Sequence, residues 1–324
     1  MKYKIPELKK ILIFSLLLMF FLTLYSVIAI AVLFHSSYTG FKEMWVTTAM
    51  STMEHQYLAK MLVSDEEIAE IMESNKVIQV GMNAKTSDIR IKKEADSSIE
   101  KIDIRGKGYK GIMLVIPDPS RVFIGSAKAD QAKGMFLKDI VKKYDAVAGI
   151  NAGGFVNQSS KHGDSREADG LLISEGVILK GVDDLEYNVI GFTKDDKFIL
   201  GVYELPKIKK LKIRDAVSFA PFLIVNGNPS KIIGNGGWGI NPRTAIGQRK
   251  DGTVLLLAID GRQTGSVGAT ISQVQDIMIE YGAYNATNLD GGSSTIMVYK
   301  DEIVNNPCSV ATGRFLPDAF LVRK

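Results

Sequence analysis

The longest uninterrupted apolar stretch of the chain lies near its N-terminus. From Ile11 to Phe34 no residue is charged, and only three hydroxyl side chains interrupt the apolar and aromatic run. A helix over this run is about 36 Å long at ~1.5 Å per residue, which exceeds a hydrocarbon core of ~30 Å. The apolar core of a secretory signal peptide is shorter, although the Ala-Ile-Ala stretch at 29–31 leaves cleavage open. The pattern predicts an uncleaved transmembrane anchor over 11–34.

Lysines flank one side of this span. Four of them precede it within residues 1–10, whereas Lys42 is the only Lys or Arg between His35 and Glu54. Because basic residues stay on the cytoplasmic side of a membrane helix, residues 1–10 are predicted to be a cytoplasmic flank and the chain after residue 34 to be extracytoplasmic. The sequence therefore predicts a single-pass protein of the cell membrane.

Residues 35–87 follow as a predicted helical stalk and linker. Large apolar side chains recur there at three- or four-residue steps, at Met50, Met53, Tyr57 and Met61. This spacing is typical of one helix face, and the stripe is expected to pack on the next helix or on a partner stalk, so self-association stays open. Ser64 followed by Glu67 is a capping-box pattern that predicts the start of a second helix.

The pattern changes from about residue 88 to short apolar runs separated by turn residues. Three pairs of runs predict β-hairpins: 171–174 with 177–179, 189–192 with 198–202, and 244–248 with 253–259. Helical periodicity predicts two helices, near 135–144 and near 271–281. This mixture predicts an α+β domain over 88–324, with a mixed or antiparallel β-sheet core and flanking helices.

Charge and composition argue against several classes of function. The formal net charge is +4 over 324 residues, and four Lys and one Glu in the first ten residues supply +3 of it, leaving 4 − 3 = +1. A basic nucleic-acid-binding domain is therefore disfavoured. Cys308 is the only Cys, which excludes an intramolecular disulfide and a Cys-rich zinc site, and His162 is the only His after residue 60. The sequence requires no cofactor, and a divalent cation stays open.

Four segments place polar groups and glycines at the ends of apolar runs. The first run leads into Asn151, which is followed by Gly153 and Gly154. Glycine lets backbone N–H groups approach a ligand, and the Asn amide can orient a hydroxyl or phosphate oxygen. The second segment carries Arg243 and Thr244, and a planar guanidinium suits a phosphate. A structural turn and a solvated edge arginine are the alternatives for these two segments.

The other two segments each end a predicted strand in Asp-Gly. One strand, 253–259, runs into Asp260, and the other, 286–289, runs into Asp290. An aspartate at such a position most often caps a turn. Here a predicted helix joins the two strands, and a strand-helix-strand unit can bring both aspartates to one edge of a sheet.

Together these motifs resemble those of the phosphodiester glycosidase family. In chain order they are NAGGF (151–155), NPRTAIG (241–247), DGR (260–262), GAT (268–270), NLDGGSS (288–294) and GRFLPDAF (313–320). The likeness extends over about residues 95–324 and departs at the first motif, where Ala152 interrupts the usual pattern. With its anchor and stalk, the chain is similar to bacterial members of the exopolysaccharide biosynthesis type.

The resemblance implies a hydrolase that cleaves a sugar-1-phosphodiester, such as that of N-acetylglucosamine, between the anomeric carbon and the phosphate. Its substrate would be a phosphodiester-linked glycan or glycolipid in cell-envelope or exopolysaccharide metabolism. A non-catalytic module that binds envelope polysaccharide is the main alternative, and a structural partner acting through the stalk is another. Carboxylates that face a phosphate favour catalysis, because binding an anion alone gains nothing from them.

On this interpretation individual residues take roles. Asp290 is the first choice and Asp260 the second for the carboxylate that an oxocarbenium-like transition state needs, as nucleophile or as base for water. Arg243 is expected to neutralise the leaving phosphate, with Arg262 and Arg314 in support. The other expected substrate contacts are the N–H groups of Gly291, Gly292 and Ser293 as an anion nest, the side chains of Ser294, Thr244 and Asn151, and the glycines Gly153 and Gly154.

Overall fold

A computed structural model describes residues 5–35, 39–81, 83–92, 96–127, 134–157, 165–309 and 313–324. The chain separates into two compact units, Met1–Glu73 and Ser74–Lys324. The second unit starts earlier than the predicted boundary at residue 88, because residues 76–78 pair as a β-strand with residues 231–233 of that unit.

The helices of the described residues are α1 (Ile5–His35), α2 (Thr39–Met50), α3 (Tyr57–Lys60), α4 (Asp65–Ser74), α5 (Leu137–Lys143), α6 (Leu205–Lys210) and α7 (Ile271–Glu280). α1 is long and apolar enough to span a membrane over Leu8–Phe34. The hydroxyls of Thr23 and Ser26 donate to the carbonyls of Met19 and Leu22. These polar side chains are therefore satisfied within the helix, as a lipid environment requires.

The first unit packs its helices around a small apolar cluster. The cluster consists of Phe34, Val46, Ala49, Ala59, Val63, Ile68 and Ile71. α4 begins where the capping-box pattern predicts, since the Ser64 Oγ accepts the N–H of Glu67 at 3.2 Å.

The predicted apolar stripe in this unit is not one helix face. α2 ends at Met50, and bends at 51–54 separate it from α3. Met53, Tyr57 and Met61 are 63%, 54% and 74% exposed. The prediction was wrong because the helical spacing continues across a break in the helix.

The strands of the second unit are β1 (Lys76–Ile78), β2 (Glu100–Gly106), β3 (Tyr109–Ile116), β4 (Val122–Ser126), β5 (Ala146–Asn151), β6 (Phe155–Asn157), β7 (Ser165–Ala168), β8 (Leu172–Ser174), β9 (Val177–Lys180), β10 (Glu186–Thr193), β11 (Phe198–Glu204), β12 (Ile213–Ser218), β13 (Phe222–Val225), β14 (Asn228–Pro229), β15 (Lys231–Ile233), β16 (Arg243–Gln248), β17 (Val254–Ile259), β18 (Asn285–Leu289), β19 (Met297–Tyr299), β20 (Glu302–Ile303) and β21 (Asp318–Arg323). They form a seven-stranded sheet in the order β14-β13-β18-β16-β17-β3-β2, and two five-stranded sheets in the orders β11-β10-β12-β8-β9 and β20-β19-β5-β21-β4. Two short ribbons, β1-β15 and β6-β7, complete the pairing. The predicted α+β class is confirmed.

The local elements also follow the sequence pattern. The three predicted hairpins are present as the antiparallel pairs β8-β9, β10-β11 and β16-β17. The two predicted helices are α5 and α7, and α7 begins with a capping box between Thr270 and Gln273. The start of α7 thus lies where the chemistry of its cap residue favours it.

Burial on both faces explains the continuous apolar sequence of β17. Val254, Leu256 and Ala258 belong to a core shared by the three large sheets, whereas Leu255 and Leu257 belong to a second core with α7. α5 packs in a third core against β4, β5 and β21. A strand covered on both sides has no polar alternation, because neither face meets water.

The position of β16 decides which residues meet. It lies between β17 and β18 and is antiparallel to both, so these two strands are parallel to each other and are joined by α7. In register, Arg243 lies opposite Ile259, and Thr244 lies opposite Leu289. The start of β16 and the ends of β17 and β18 therefore meet at one edge of the seven-stranded sheet, as the strand-helix-strand pattern predicts.

Candidate active site

Several of the sequence motifs converge on the Asn241–Pro242 backbone at this sheet edge. A Cβ on Gly291 would lie 2.8 Å from the Pro242 carbonyl oxygen, and one on Gly268 would lie 2.5 Å from the Asn241 carbonyl carbon. Gly268 also has a φ of +118°, which residues with a Cβ rarely adopt. Glycine is needed at both positions because the loops approach the backbone too closely for a side chain.

Asp290 is held at this edge through its backbone. Its carbonyl accepts a hydrogen bond from the Nδ2 of Asn151 at 2.5 Å, and its N–H donates to the carbonyl of Ala152 at 3.2 Å. Asn151 ends β5, which belongs to a five-stranded sheet. Asp290 therefore lies where that sheet meets the edge of the seven-stranded sheet.

Asp290 is half-buried as a residue, and its carboxyl is buried among polar partners. It accepts hydrogen bonds from the Ser294 hydroxyl and the Gly291 N–H, and the positive charge of Arg314 lies near it. Burial raises the pKa of Asp290 to about 6, and these three contacts oppose that rise. The group is therefore ionised at neutral pH but can take up a proton more readily than an ordinary aspartate.

Two arginines lie against the turn that follows Asp290. Arg314 donates from Nη1 to the Oγ of Ser293 at 3.0 Å. Arg262 is exposed, and its Nη2 would lie 3.3 Å from a Cβ on Gly292. Among the described residues, no carboxylate forms a salt bridge with Arg262. Arg262 thus adds positive charge to this turn that an anionic ligand could neutralise.

Arg243 does not face a ligand in the way that the sequence predicts. Its side chain is 3% exposed, its Nε donates to the Ala269 carbonyl at 3.0 Å, and its Nη2 donates to the carbonyls of Trp238 and Gly239 at 2.6 and 2.8 Å. Burial, with the charge of Arg262, lowers the pKa of Arg243 to about 9. Arg243 therefore fixes the loops around the site and contributes buried positive charge beneath it, rather than a direct contact.

Asp260 lies at the same edge, as predicted, but its carboxyl is used within the protein. Its Oδ1 accepts the Asn306 N–H at 2.8 Å and the Asn305 Nδ2 at 3.1 Å. Burial raises the pKa of Asp260, while these two bonds and the charge of Lys110 oppose the rise. The structure thus gives Asp260 a role in holding the 305–306 loop.

Three of the expected substrate contacts are buried and bonded inside the protein: Asn151, Thr244 and Ser294. The Oδ1 of Asn151 accepts from the Thr244 Oγ1 at 3.0 Å and from the Ile296 N–H at 3.1 Å. Ser294 donates to the carboxyl of Asp290. These residues join the sheets and support Asp290, so their polar groups are used within the protein, and a contact of theirs with a sugar or phosphate stays a prediction.

The expected anion nest is only partly present. The Gly292 N–H donates to the Pro242 carbonyl at 2.9 Å, and the Gly291 N–H donates to the Asp290 carboxyl. Ser293 meets Arg314 through its side chain. Two of the three N–H groups that were expected to bind an anion are therefore bonded within the turn. The number of glycines in the motif predicted more anion-binding groups than the structure provides.

Asp318, at the start of β21, is a site residue that the sequence interpretation missed. It is 1% exposed, and its Oδ1 accepts the Gly153 N–H at 2.8 Å. Burial raises the pKa of Asp318 to about 7, and the charge of Asp290 adds to the rise. The Gly153 N–H is therefore bonded within the protein. The Gly154 N–H is too, since it donates to the Ser218 carbonyl at 3.4 Å. The sequence did contain a signal for this residue, because Asp318 is a carboxylate at the start of the otherwise apolar strand β21.

The described residues offer no cluster of three or more His, Cys, Asp or Glu side chains that could hold a metal ion. His162, the single His of this domain, lies outside the described residues. Glu167 pairs with Lys180, Oε2 to Nζ, at 3.5 Å. In the described part of the chain, no ligand set for a divalent cation can be named.

Comparison with known sequences finds relatives of this domain. The profile of the phosphodiester glycosidase family matches residues 144–323. The SPbeta prophage-derived protein YomE of Bacillus subtilis is 27% identical over 198 residues, which cover 58% of this chain and 29% of that protein. The mouse N-acetylglucosamine-1-phosphodiester alpha-N-acetylglucosaminidase is 22% identical over 231 residues, which cover 62% of this chain and 42% of that protein. The chain thus spans less than half the length of these relatives.

Solved structures share the fold. The zebrafish N-acetylglucosamine-1-phosphodiester alpha-N-acetylglucosaminidase catalytic domain, auto-inhibited by its pro-peptide, superposes with a TM-score of 0.61 at 19% identity, over 73% of this chain and 86% of that one. A putative exported protein of Burkholderia pseudomallei superposes with a TM-score of 0.51 at 15% identity, over 67% of this chain and 74% of that one. Since the family profile covers more than half of the chain, including the edge that carries Asp260 and Asp290, the protein belongs to the phosphodiester glycosidase family.

Proposed function

We propose that this protein hydrolyses a sugar-1-phosphodiester, with N-acetylglucosamine as the sugar, between the anomeric carbon and the phosphate oxygen. The observation that carries the proposal is the carboxyl of the half-buried residue Asp290, on a turn that two arginines contact. The names of the mouse and zebrafish relatives, which describe this activity, support the choice of substrate.

The phosphodiester is an anion, and its phosphate becomes the leaving group. Arg262 and Arg314 neutralise that charge by charge-assisted hydrogen bonds, so the departing phosphate needs little help from a general acid. Arg243 adds positive charge from beneath and keeps the surrounding loops in place. The arginines thus lower the barrier most where charge develops.

Asp290 serves the sugar side of the same bond. As the bond breaks, the anomeric carbon becomes oxocarbenium-like, and a nearby carboxylate either attacks it or removes a proton from the attacking water. The charged form of Asp290 is favoured by Ser294, the Gly291 N–H and Arg314. Asp260 is left with a supporting role, since Asn305 and Asn306 occupy its Oδ1.

The location proposed for this activity is outside the cell membrane. α1 would anchor the chain as a single span, with the lysines of residues 1–10 in the cytoplasm and the glycosidase domain on the other side. The substrate is then a phosphodiester-linked glycan or glycolipid in cell-envelope or exopolysaccharide metabolism.

The test uses the full chain in detergent and two substrates that share the sugar. One is a methyl phosphodiester of N-acetylglucosamine 1-phosphate, and the other is the p-nitrophenyl α-glycoside. We expect release of N-acetylglucosamine from the phosphodiester, and a roughly 10-fold or larger loss of kcat/KM in Arg262→Gln that the aryl glycoside does not share. Arg105→Gln, an exposed arginine on the edge strand β2, is the matched control.

Two outcomes would contradict the proposal. Equal losses on both substrates in Arg262→Gln would remove the phosphate contact. Binding of the phosphodiester without any release of sugar would instead favour the non-catalytic polysaccharide-binding module.

A further inference from the structure

Asp318 is a buried carboxyl that the mechanism above does not use. Its Oδ1 accepts the Gly153 N–H at 2.8 Å, whereas its Oδ2 is buried with no hydrogen-bond partner among the described residues. Leaving a buried carboxylate oxygen unpaired is costly, but a protonated carboxyl carries a donor and no charge. The geometry therefore favours a protonated Asp318.

A three-residue segment connects this carboxyl to Asp290. Asn151 donates to the Asp290 carbonyl, Ala152 accepts the Asp290 N–H, and Gly153 donates to Asp318. Ala319 also pairs in register with Asn151. Residues 151–153 thus fix the backbone of one acid and the side chain of the other.

The surroundings of Asp318 supply little other charge. It lies opposite Ser126 of β4, beside Asn151 of β5, and Gly153 packs against Val217 of β12. Its charged neighbour among the described residues is Asp290, whose own charged neighbour is Arg314. Ionisation of Asp318 would therefore place a second negative charge near the first, and the described residues place no cation beside Asp318 to balance it.

We propose that Asp318 is the proton-holding partner of Asp290, a positioning residue that, while protonated, keeps a second negative charge away from the Asp290 carboxyl. The inference rests on the proposed function. While Asp318 is protonated, Asp290 acts alone on the sugar and the arginines accept the phosphodiester. Once Asp318 ionises, its negative charge repels the anionic phosphodiester and so weakens substrate binding.

The first test is the pH dependence of kcat/KM for the phosphodiester in the wild type and in Asp318→Asn. Asparagine keeps an oxygen for the Gly153 N–H but cannot ionise. For the wild type we expect a rise as Asp290 loses its proton and a fall of about tenfold, to a lower plateau, as Asp318 loses its own. In Asp318→Asn the rise should remain and the fall should disappear.

The matched control is Asp215→Asn. Asp215 is equally buried, but its carboxyl pairs with Arg214 and the Glu175 N–H instead of with residues 151–153. That variant should lose stability and keep both limbs of the pH profile. A fall that persists unchanged in Asp318→Asn would overturn the proposal.

The second test does not depend on activity. In full-length protein labelled with ¹³C at the aspartate carboxyls, the Asp318 resonance should titrate at lower pH in Asp290→Asn than in the wild type, because the repelling charge is gone. An unchanged titration would overturn the coupling of the pair. If the wild type releases no sugar, the proposed function fails, and this titration still decides whether the two carboxyls share a proton.

Discussion

Asp260 and Asp290 occupy matching places in the fold but have different surroundings. Each follows a strand of the seven-stranded sheet and precedes a glycine, and the two strands flank β16 and run parallel to each other. The Asp260 carboxyl holds a loop through Asn305 and Asn306. The Asp290 carboxyl is instead supported by its own turn and lies near Arg314.

The difference shows what makes a strand-end carboxylate available for chemistry. Burial raises the pKa of both groups, so burial alone does not separate them. What separates them is the destination of the carboxyl oxygens, a distant loop in one case and a cation-bearing turn in the other. A perturbed pKa therefore points to a catalytic group only together with its partners.

The largest expected effect comes from exchanging the two carboxyls separately for amides. Asp290→Asn removes the charge that stabilises the transition state and should lower kcat by ~10²-fold or more. Asp260→Asn should lower kcat by less than about 10-fold. It should weaken the loop contacts by about 1 kcal/mol, since charge-assisted bonds become neutral ones. Steady-state kinetics and urea unfolding of both variants measure the contrast, and a larger kinetic loss in Asp260→Asn would reverse the assignment.

The elements of this comparison were accessible from the sequence. Asp-Gly after an apolar run, twice, with a capped helix between the runs, predicts two parallel strands whose ends meet, and the structure contains that unit. The hairpins were equally readable because their turn residues are local. Patterns that act over a few residues therefore predicted most of the fold.

The partners of the site residues were not accessible in this way. Thr244 and Asn151 carry polar groups suited to a ligand, yet they bond each other across 93 positions of the chain. Asp318 and Gly153 are 165 positions apart. Whether a polar side chain faces a ligand or another strand depends on such long-range pairing, which residue type and spacing do not encode.

A second pair of variants separates the supports of the two aspartates. Asn151→Ala removes the side-chain partner of the Ile296 N–H and of the Asp290 carbonyl, and it leaves the Thr244 hydroxyl with only the Thr295 Oγ1, at 3.3 Å. Loss of these buried hydrogen bonds should lower the free energy of unfolding by about 3 kcal/mol. Because Asp290 is then held less firmly in place, kcat should fall about tenfold.

Asn305→Ala is the matched change on the Asp260 side, since Asn305 holds Asp260 and the Met297 N–H. It should cost about 2 kcal/mol and leave kcat within a few-fold. Urea unfolding and kcat measured together give the comparison. Equal losses of kcat in Asn151→Ala and Asn305→Ala would mean that Asp290 has no special dependence on its support.

The smallest expected effect is a pH dependence of stability that differs between the two aspartates. The pKa of Asp290 rises from ~3.9 in the unfolded chain to about 6 in the fold. The folded state therefore holds the proton more tightly, and this contribution to stability is present below pH ~4 and is lost as the pH rises through about 6. Because asparagine stays neutral, the Tm of Asp290→Asn relative to the wild type should increase between pH 4 and pH 7.

For Asp260→Asn the increase should be smaller, since Asn305 and Asn306 favour the charged carboxyl and offset its burial. Thermal unfolding of the three proteins across this range measures both, and a flat difference for Asp290→Asn would mean that its carboxyl is as well solvated in the fold as in the unfolded chain.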